Sequence, residues 1–164
     1  MAILSKAKKR RPEMGYATDF VTAVMKNNMK ELKRQGVKSV VNAGGIAPLA
    51  CRDALLAEAK KQGVELKVGV VLGDDLMHRT DEFRKRHVKE MYSGIPFPSK
   101  KATMSCNAYL GAFPIAEALR QGCDVVITGR VVDSALVLAP LIYEFGWDHS
   151  DYDKLVRARV AAVG

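Results

Sequence analysis

Short apolar runs alternate with longer helical patterns along this chain, and no other feature constrains the fold as strongly. The four runs are residues 38–42, 66–72, 103–106 and 124–128. Strands separated by helices of this length pair in parallel, because each helix carries the chain back to the starting edge of the sheet. The sequence predicts one α/β domain over residues 1–164. We expect a three-layer α/β/α, Rossmann-like arrangement with a mainly parallel sheet of about four strands.

The predicted helices are bounded by residues that start or stop a helix. Pro48 and Pro114 stand where a first turn tolerates proline, and glycines follow the apolar patterns at Gly36, Gly63 and Gly122. Thr18 is a candidate N-cap for the helix that ends before Gly36. Further helices are predicted at residues 2–9 and 76–91, from near Asp133 and Ser134 through Phe145, and from Ser150 onward.

Cysteine usage and hydropathy predict a cytoplasmic protein that does not enter a membrane. The three cysteines, Cys51, Cys106 and Cys123, are odd in number and widely spaced, with no CxxC pair. This pattern is typical of reduced thiols and argues against a disulfide framework or a zinc–thiolate site. No secretory signal precedes the first lysines. The longest apolar stretch, residues 135–143, is about half a membrane span and contains Pro140.

Five positive charges of the formal net charge of +8 lie in one short cluster near the N-terminus. The cluster consists of Lys6, Lys8, Lys9, Arg10 and Arg11. Such a cluster is typical of a solvated helix end, which is the favoured interpretation. Nucleic-acid binding is the alternative. It is less favoured because no aromatic residues are interleaved and no nucleic-acid-binding motif is present.

Small and polar residues follow each of the four predicted strands. In an open parallel sheet, ligands bind beyond the carboxyl ends of the strands, where such segments meet. The pattern therefore predicts a small-molecule site, with an anionic ligand as the expected partner. The four segments are Asn42-Ala43-Gly44-Gly45, Gly73-Asp74-Asp75, Asn107-Ala108-Tyr109 and Thr128-Gly129-Arg130.

Two of these segments are candidates for binding the phosphate or carboxylate of the ligand. Gly44 and Gly45 permit close approach of the backbone, and the amides after them begin a helix. Arg130 places a guanidinium before a helix that starts near Asp133 and Ser134. We assign ligand binding to Asn42, Gly44, Gly45, Thr128, Gly129, Arg130, Asp133 and Ser134. A tight turn at the glycines, and an ion pair between the arginine and a nearby aspartate, are the alternatives.

The other two segments carry the candidate catalytic residues Asp74, Asp75, Asn107 and Tyr109. An aspartate here can act as a base or hold a cation, and capping of the following helix is the slightly favoured alternative for the pair. Asn107 and Tyr109 can polarise a carbonyl, and the alternative for Asn107 is a helix cap. No metal site is predicted, since His78 alone does not complete a ligand set. Cys106 is interpreted as a structural thiol, because no histidine is near it in sequence.

With these residues laid out, the chain resembles the AtuA-like acyclic terpene utilisation family over nearly its whole length. The matching segments are YATDFV (16–21), NAGG (42–45), PLACRDAL (48–55), GDDL (73–76), NAYLGAFPIAEAL (107–119) and TGRVVDSALVLAPLIYEFGW (128–147). The resemblance implies a place in bacterial breakdown of citronellol and geraniol through acyl-CoA intermediates, so a CoA thioester is an expected substrate.

Family members are longer and begin with a glycine-rich strand and loop, so this chain resembles an internal portion or truncated form. We expect a sheet incomplete at its N-terminus, with an uncovered edge that favours a homo-oligomer.

Two functions remain open. The first is an enzyme domain that acts on a branched, terpenoid acyl-CoA or carboxylate by an unknown reaction. The alternative is a non-catalytic ligand-binding or assembly module of a catabolic enzyme complex. The absence of a recognisable catalytic triad favours the second, and the repeated polar segments favour the first.

Overall fold

The computed structural model describes residues 4–6, 11 and 14–161, with the last three as backbone alone. A π-helical turn, Phe20–Met25, leads into the first α-helix. The elements in chain order are α1 (Lys26–Gln35), β1 (Ser39–Val41), α2 (Pro48–Gln62), β2 (Val68–Val71), a 3₁₀ turn (Met77–Arg79), α3 (Thr80–Lys85), α4 (Phe113–Arg120), β3 (Val125–Thr128), α5 (Ala135–Phe145) and α6 (Tyr152–Ala161).

The three strands of the described residues form one parallel sheet in the order β1-β3-β2. Val126 at the centre pairs with Val40 on one side and Gly69 on the other. All four residues of β3 are buried, whereas the flanking strands are mostly half-buried. The predicted α/β class with a parallel sheet is therefore confirmed, and the strand that comes last along the chain lies in the middle.

Alternate residues of β3 pack into two separate hydrophobic clusters, because successive strand side chains point to opposite faces. Val126 packs with residues of α4 and α5, including Ile115 and Ile142. Val125 and Ile127 pack in the second cluster, which contains side chains of the π-helical turn, α1 and α2. Burying each such side chain contributes about 1.5–3 kcal/mol.

Helix ends agree with the sequence at some positions and differ at others. Pro48 occupies the first turn of α2, and Gly63 ends it with φ +66° in the left-handed region that favours glycine. Thr18 was predicted as an N-cap but is already helical, and its carbonyl accepts a hydrogen bond from the hydroxyl of Thr22. The last helix was predicted from Ser150 onward, but α6 begins at Tyr152, and the amide and hydroxyl of Ser150 donate to Asp148.

The predicted strand at residues 103–106 is a loop. The chain returns across the end of β2 in the antiparallel direction, so it cannot extend the parallel sheet. The amide of Leu76 donates to the carbonyl of Cys106 at 2.7 Å, and the amide of Ala108 donates to the carbonyl of Asp74 at 2.8 Å. These bonds produce an isolated bridge between Asp75 and Asn107 in place of a strand.

The helix predicted at residues 76–91 forms only in part. A 3₁₀ turn and the short α3 are followed by His87, which has φ +51° and therefore leaves the helical region. Beyond it, the amide of Phe97 donates to the carbonyl of Val88 at 2.9 Å, and Lys89 forms an antiparallel bridge with Pro96. The segment thus ends as a short hairpin-like loop.

The predicted N-terminal helix lies mostly outside the described residues. Residues 4–6 are helical, and Lys8, Lys9 and Arg10 of the basic cluster are among the residues that the structure does not describe. In the part of the chain that is described, no helix combines the length and the hydropathy needed to span a bilayer.

At the amino-terminal edge of the sheet, Asp124 is hydrogen-bonded to α1, to β1 and to the residue just before β2. Its carboxylate accepts hydrogen bonds from the amide of Lys67 and from Nζ of Lys33, both at 2.8 Å, and its carbonyl accepts the amide of Ser39 at 2.9 Å. Burial alone would raise the pKa of Asp124, but the bonds from Lys33 and Lys67 lower it below its ordinary value. The ionised carboxylate therefore stabilises the fold.

Replacing Asp124 with asparagine is expected to lower the free energy of unfolding at neutral pH by about 1–2 kcal/mol, because charged hydrogen bonds become neutral ones. A lowered folded-state pKa contributes stability above the unfolded-state value of about 3.9, and acid removes it. The difference in the free energy of unfolding between wild type and Asp124→Asn should therefore become smaller below about pH 4. Urea unfolding at neutral and acidic pH measures it. Asp53→Asn, an exposed carboxylate beside Arg52, is the control. A pH-independent difference would contradict the assignment.

Candidate functional site

The buried carboxylate of Asp74 holds three of the four predicted segments together. The side chain is 4% exposed, and its Oδ2 accepts hydrogen bonds from Nδ2 of Asn107 at 2.9 Å and from the backbone amide of Arg130 at 2.8 Å. Gly129 passes so close that a Cβ there would lie 2.6 Å from Oδ1 of Asp74. The carboxyl ends of β2 and β3 and the loop at Asn107 therefore meet at one carboxylate.

The glycine pair joins the fourth segment to the others. A Cβ on Gly44 would lie 2.5 Å from the carbonyl oxygen of Thr128 and 2.6 Å from Cβ of Pro48. Gly45, with φ +55°, packs against Leu4. Contacts within the protein thus explain why glycine is needed at both positions.

Thr128, at the end of β3, and Asn42, just after β1, each form a hydrogen bond with backbone close by along the chain. Thr128 is fully buried, and its hydroxyl donates to the carbonyl of Gly129 at 3.1 Å. Asn42 is exposed, and its carbonyl accepts the amide of Gly45 at 3.3 Å, which closes the turn after β1.

Arg130 and Tyr109 form a pair on the surface of this edge. Nη2 of Arg130 donates to the phenolic oxygen of Tyr109 at 2.7 Å, and the guanidinium carbon lies 4.4 Å from the ring centroid. The hydrogen bond to Tyr109 raises the pKa of Arg130, to which the charge of Asp133 also contributes. Asp133 is exposed, whereas Ser134 is buried at the start of α5, where its carbonyl accepts the amide of Leu138.

Two neighbouring cavities lie at the carboxyl ends of β1 and β2, and they share Ile46 and Asp75 in their walls. We call them cavity A, of about 310 Å³, and cavity B, of about 320 Å³. Cavity A is lined by Ile46, Met77 and Met104 and by the polar residues Ser5, Asp75, Ser105 and Asn107. Cavity B is lined mainly by the start of α2 and by residues 72–75.

The first turn of α2 faces cavity B without a side-chain cap. Ala47 occupies the N-cap position and provides no hydrogen bond from its side chain, and Pro48 has no N–H. Leu49 and Ala50 follow, and both line cavity B. A helix N-terminus carries partial positive charge, so this end of the cavity favours a negatively charged group.

Asp75 faces both cavities and is exposed. Its Oδ1 accepts the amide of Met77 at 2.9 Å within the turn that follows β2. Neither the 3₁₀ turn nor α3 has a side-chain cap, so the predicted helix cap does not form. The turn occupies one carboxylate oxygen and leaves acceptor capacity on the same side chain.

Neither thiol near the site is an activated nucleophile. Burial raises the pKa of Cys51 to about 12. Burial, and to a lesser degree the charge of Asp75, raises the pKa of Cys106 above its ordinary value. A raised pKa keeps the thiol protonated at neutral pH, as the structural interpretation of Cys106 requires. In residues 4–6, 11 and 14–161, no three His, Cys, Asp or Glu side chains cluster as a metal site would require.

Ser5 is the residue that sequence reasoning missed. It is 3% exposed and lines cavity A together with Asp75 and Asn107. The three residues are far apart along the chain, and no motif around Ser5 marks it. Its place in the cavity depends on the packing of Leu4 against Gly45, which only the folded chain shows.

The fold and the cavities define an α/β protein with a candidate small-molecule site at the carboxyl ends of its parallel strands. Residues 1–163 match the protein family described as acyclic terpene utilisation family protein AtuA. The chain therefore belongs to this family, which confirms the resemblance and links it to acyclic terpene utilisation. No curated protein matches the chain. No solved structure matches it either.

Proposed function

We propose that this chain is an enzyme domain of acyclic terpene catabolism that binds a branched acyl group, as a carboxylate or CoA thioester, beyond the ends of β1 and β2. The observation that carries the proposal is the pair of adjoining cavities, which are largely apolar and share Asp75. The two hydrophobic clusters on alternate residues of β3 support a three-layer, Rossmann-like arrangement, and folds of that kind bind ligands at this edge.

The hydrocarbon part of such a ligand fits the apolar walls. Ile46, Leu49, Leu72 and Met104 line the two cavities, and each CH₂ group buried there contributes about 0.8 kcal/mol. Ligand pockets usually measure about 300–1,000 Å³, so each cavity is at the small end of the range. The acyl chain would lie inside, and the nucleotide part of a CoA thioester would remain outside.

The negative charges of the ligand have two binding partners in this proposal. The amides of Leu49 and Ala50 at the start of α2 would receive a carboxylate in cavity B. The guanidinium of Arg130, held against Tyr109, would contact a CoA phosphate outside the cavities. In this proposal the amides at the start of α2 bind the ligand. Gly44 and Gly45 do not contact it themselves, and their turn positions the helix start.

The catalytic roles divide between the two aspartates according to their surroundings. Asp74 is buried and bonded to Asn107 and Arg130, so we assign it to positioning those residues. Asp75 faces the cavities and is the better candidate for a base. Asn107 and Tyr109 would polarise the carbonyl, Asn107 through the amide hydrogen that does not bond to Asp74.

Leu49→Trp is expected to weaken binding of citronellate by about tenfold or more, because the indole would fill cavity B. Isothermal titration calorimetry with citronellate, its CoA thioester and CoA alone measures the effect. Leu56→Trp is the matched control, since Leu56 lies on the same helix, is similarly exposed and lines neither cavity. If wild type bound neither citronellate nor its thioester, the proposed function would be wrong.

A non-catalytic assembly module is the second candidate, and one surface favours it. The tip of the hairpin-like loop exposes Met91, Tyr92 and Ile95, with Tyr92 87% exposed. Exposed apolar groups of this kind are typical of protein contacts. Size-exclusion chromatography of wild type and Tyr92→Ser would test self-association, and capture of a catabolic enzyme lost in Tyr92→Ser would favour an assembly role. A monomer that captures no such enzyme would argue against this candidate.

A further inference from the structure

We infer that cavity A recognises a neutral hydroxyl group on the branched acyl ligand, and that Ser5 is the residue that contacts it. This inference rests on the proposed function and narrows the substrate class to hydroxylated branched acyl groups.

The hydroxyl of Ser5 is buried without a partner. Among the described residues, Oγ of Ser5 is the one enclosed side-chain oxygen or nitrogen that makes no hydrogen bond. Native proteins rarely leave such a group unpaired, because an unmet hydrogen bond in the interior is destabilising. Since Ser5 lines cavity A, a polar group in that cavity is the partner that would satisfy it.

The other polar side chains around cavity A are a hydroxyl, an amide and a carboxylate, those of Ser105, Asn107 and Asp75. Nδ2 of Asn107 donates one hydrogen to Asp74, whose carboxylate can only accept, so the second amide hydrogen and the carbonyl Oδ1 of Asn107 are left for other partners. Asp75 adds a carboxylate, which also accepts only. Among the described residues that line cavity A there is no lysine, arginine or histidine.

This polarity selects against a second carboxylate and in favour of a hydroxyl group. A carboxylate in cavity A would lie near the negative charge of Asp75 with no cation among the described wall residues, whereas in cavity B the start of α2 offsets that charge. A hydroxyl can donate to Asp75 or Asn107 and accept from Ser5, so it uses the groups present. Ile46, Met77 and Met104 leave the rest of the wall for hydrocarbon.

Cavities A and B adjoin at Asp75, so one ligand can reach both. The carboxylate or thioester end belongs at the start of α2 in cavity B, and the hydroxyl belongs beside Ser5 in cavity A. The ligand is therefore a branched acyl group with a hydroxyl on its chain, of the kind that addition of water to an unsaturated acyl group produces.

Calorimetry with three probes that share the citronellate chain and differ in the β substituent tests the inference. The probes are citronellate, its β-hydroxy derivative and its β-carboxy derivative. We expect wild type to bind the hydroxy compound about three- to tenfold more tightly than citronellate, the range for one neutral hydrogen bond, and to bind the carboxy compound most weakly. Ser5→Ala should remove the preference for the hydroxyl compound over citronellate. Asp75→Asn should improve binding of the carboxy compound.

Each outcome separates the inference from the function on which it rests. If neither the three probes nor the CoA thioester of citronellate bound, the proposed function would fail, and the inference with it. If wild type bound citronellate and its hydroxy derivative equally, the function would stand, and cavity A would hold only water. A hydroxyl preference that survived in Ser5→Ala would show that another residue makes the contact.

Discussion

Replacing Gly44 with alanine is expected to lower the free energy of unfolding by about 3 kcal/mol or more. The new methyl carbon would lie 2.5 Å from the carbonyl oxygen of Thr128 and 2.6–2.9 Å from two atoms of Pro48. Two of the three atoms in conflict belong to the backbone, which cannot move aside as a flexible side chain can. Overpacking commonly costs about 1–3 kcal/mol, and a clash with backbone belongs at the upper end or above.

Gly111→Ala is the matched control for this prediction. No atom lies within 4 Å of a Cβ built on Gly111, and its φ is outside the left-handed region. Its free energy of unfolding should change by about 0.5 kcal/mol or less, or increase slightly, because alanine restricts the unfolded chain. Urea unfolding monitored at Trp147 compares the two variants. Equal stability for Gly44→Ala and Gly111→Ala would show that the two loops are not packed as described.

Replacing Asp74 with alanine is expected to destabilise the chain by about 3 kcal/mol and to abolish ligand binding. The change removes the acceptor of two hydrogen bonds, which leaves Nδ2 of Asn107 and the amide of Arg130 without partners in a mostly buried place. Each unmet bond costs about 1–3 kcal/mol. Asp75→Ala is the neighbouring control and should cost about 1 kcal/mol or less, because its carboxylate is exposed and accepts one hydrogen bond within a turn.

A double-mutant cycle isolates the packing of Asp74 against Gly129. All three of the closest atoms to a Cβ on Gly129 belong to the carboxyl group of Asp74, at 2.6–2.8 Å. Gly129→Ala should therefore be strongly destabilising in wild type and much less so in the Asp74→Ala background. We expect a coupling free energy of about 1–3 kcal/mol. Strict additivity of the two changes would contradict the described contact.

The sequence was sufficient to predict those elements that local patterning specifies. The β3 strand is an unbroken apolar run, as burial on both faces requires, and α2 carries its own start and stop signals at Pro48 and Gly63. The segment at 103–106 has no such local determinant. Its conformation follows from the bonds of Cys106 and Ala108 to the end of β2, which are tertiary.

Some features of the candidate site were likewise predictable from the sequence, and others were not. The four polar segments were predicted to meet because parallel strands end at a common edge, and the contacts of Asp74 and Gly44 bring them together. Which aspartate would be buried was not predictable, because Asp74 and Asp75 are adjacent and chemically identical. Ser5 lines cavity A because the segment around Leu4 packs against Gly45. No periodic pattern in the sequence predicts that packing.

The position of β3 has a consequence for the order in which the molecule is made. During synthesis β1 and β2 emerge from the ribosome long before the strand that both of them pair with. Neither can complete its backbone hydrogen bonding in this sheet until residues 125–128 arrive, so the sheet forms late and from contacts distant in sequence. Nascent chains that stop before this strand should lack the sheet, and they should depend most on protection from aggregation.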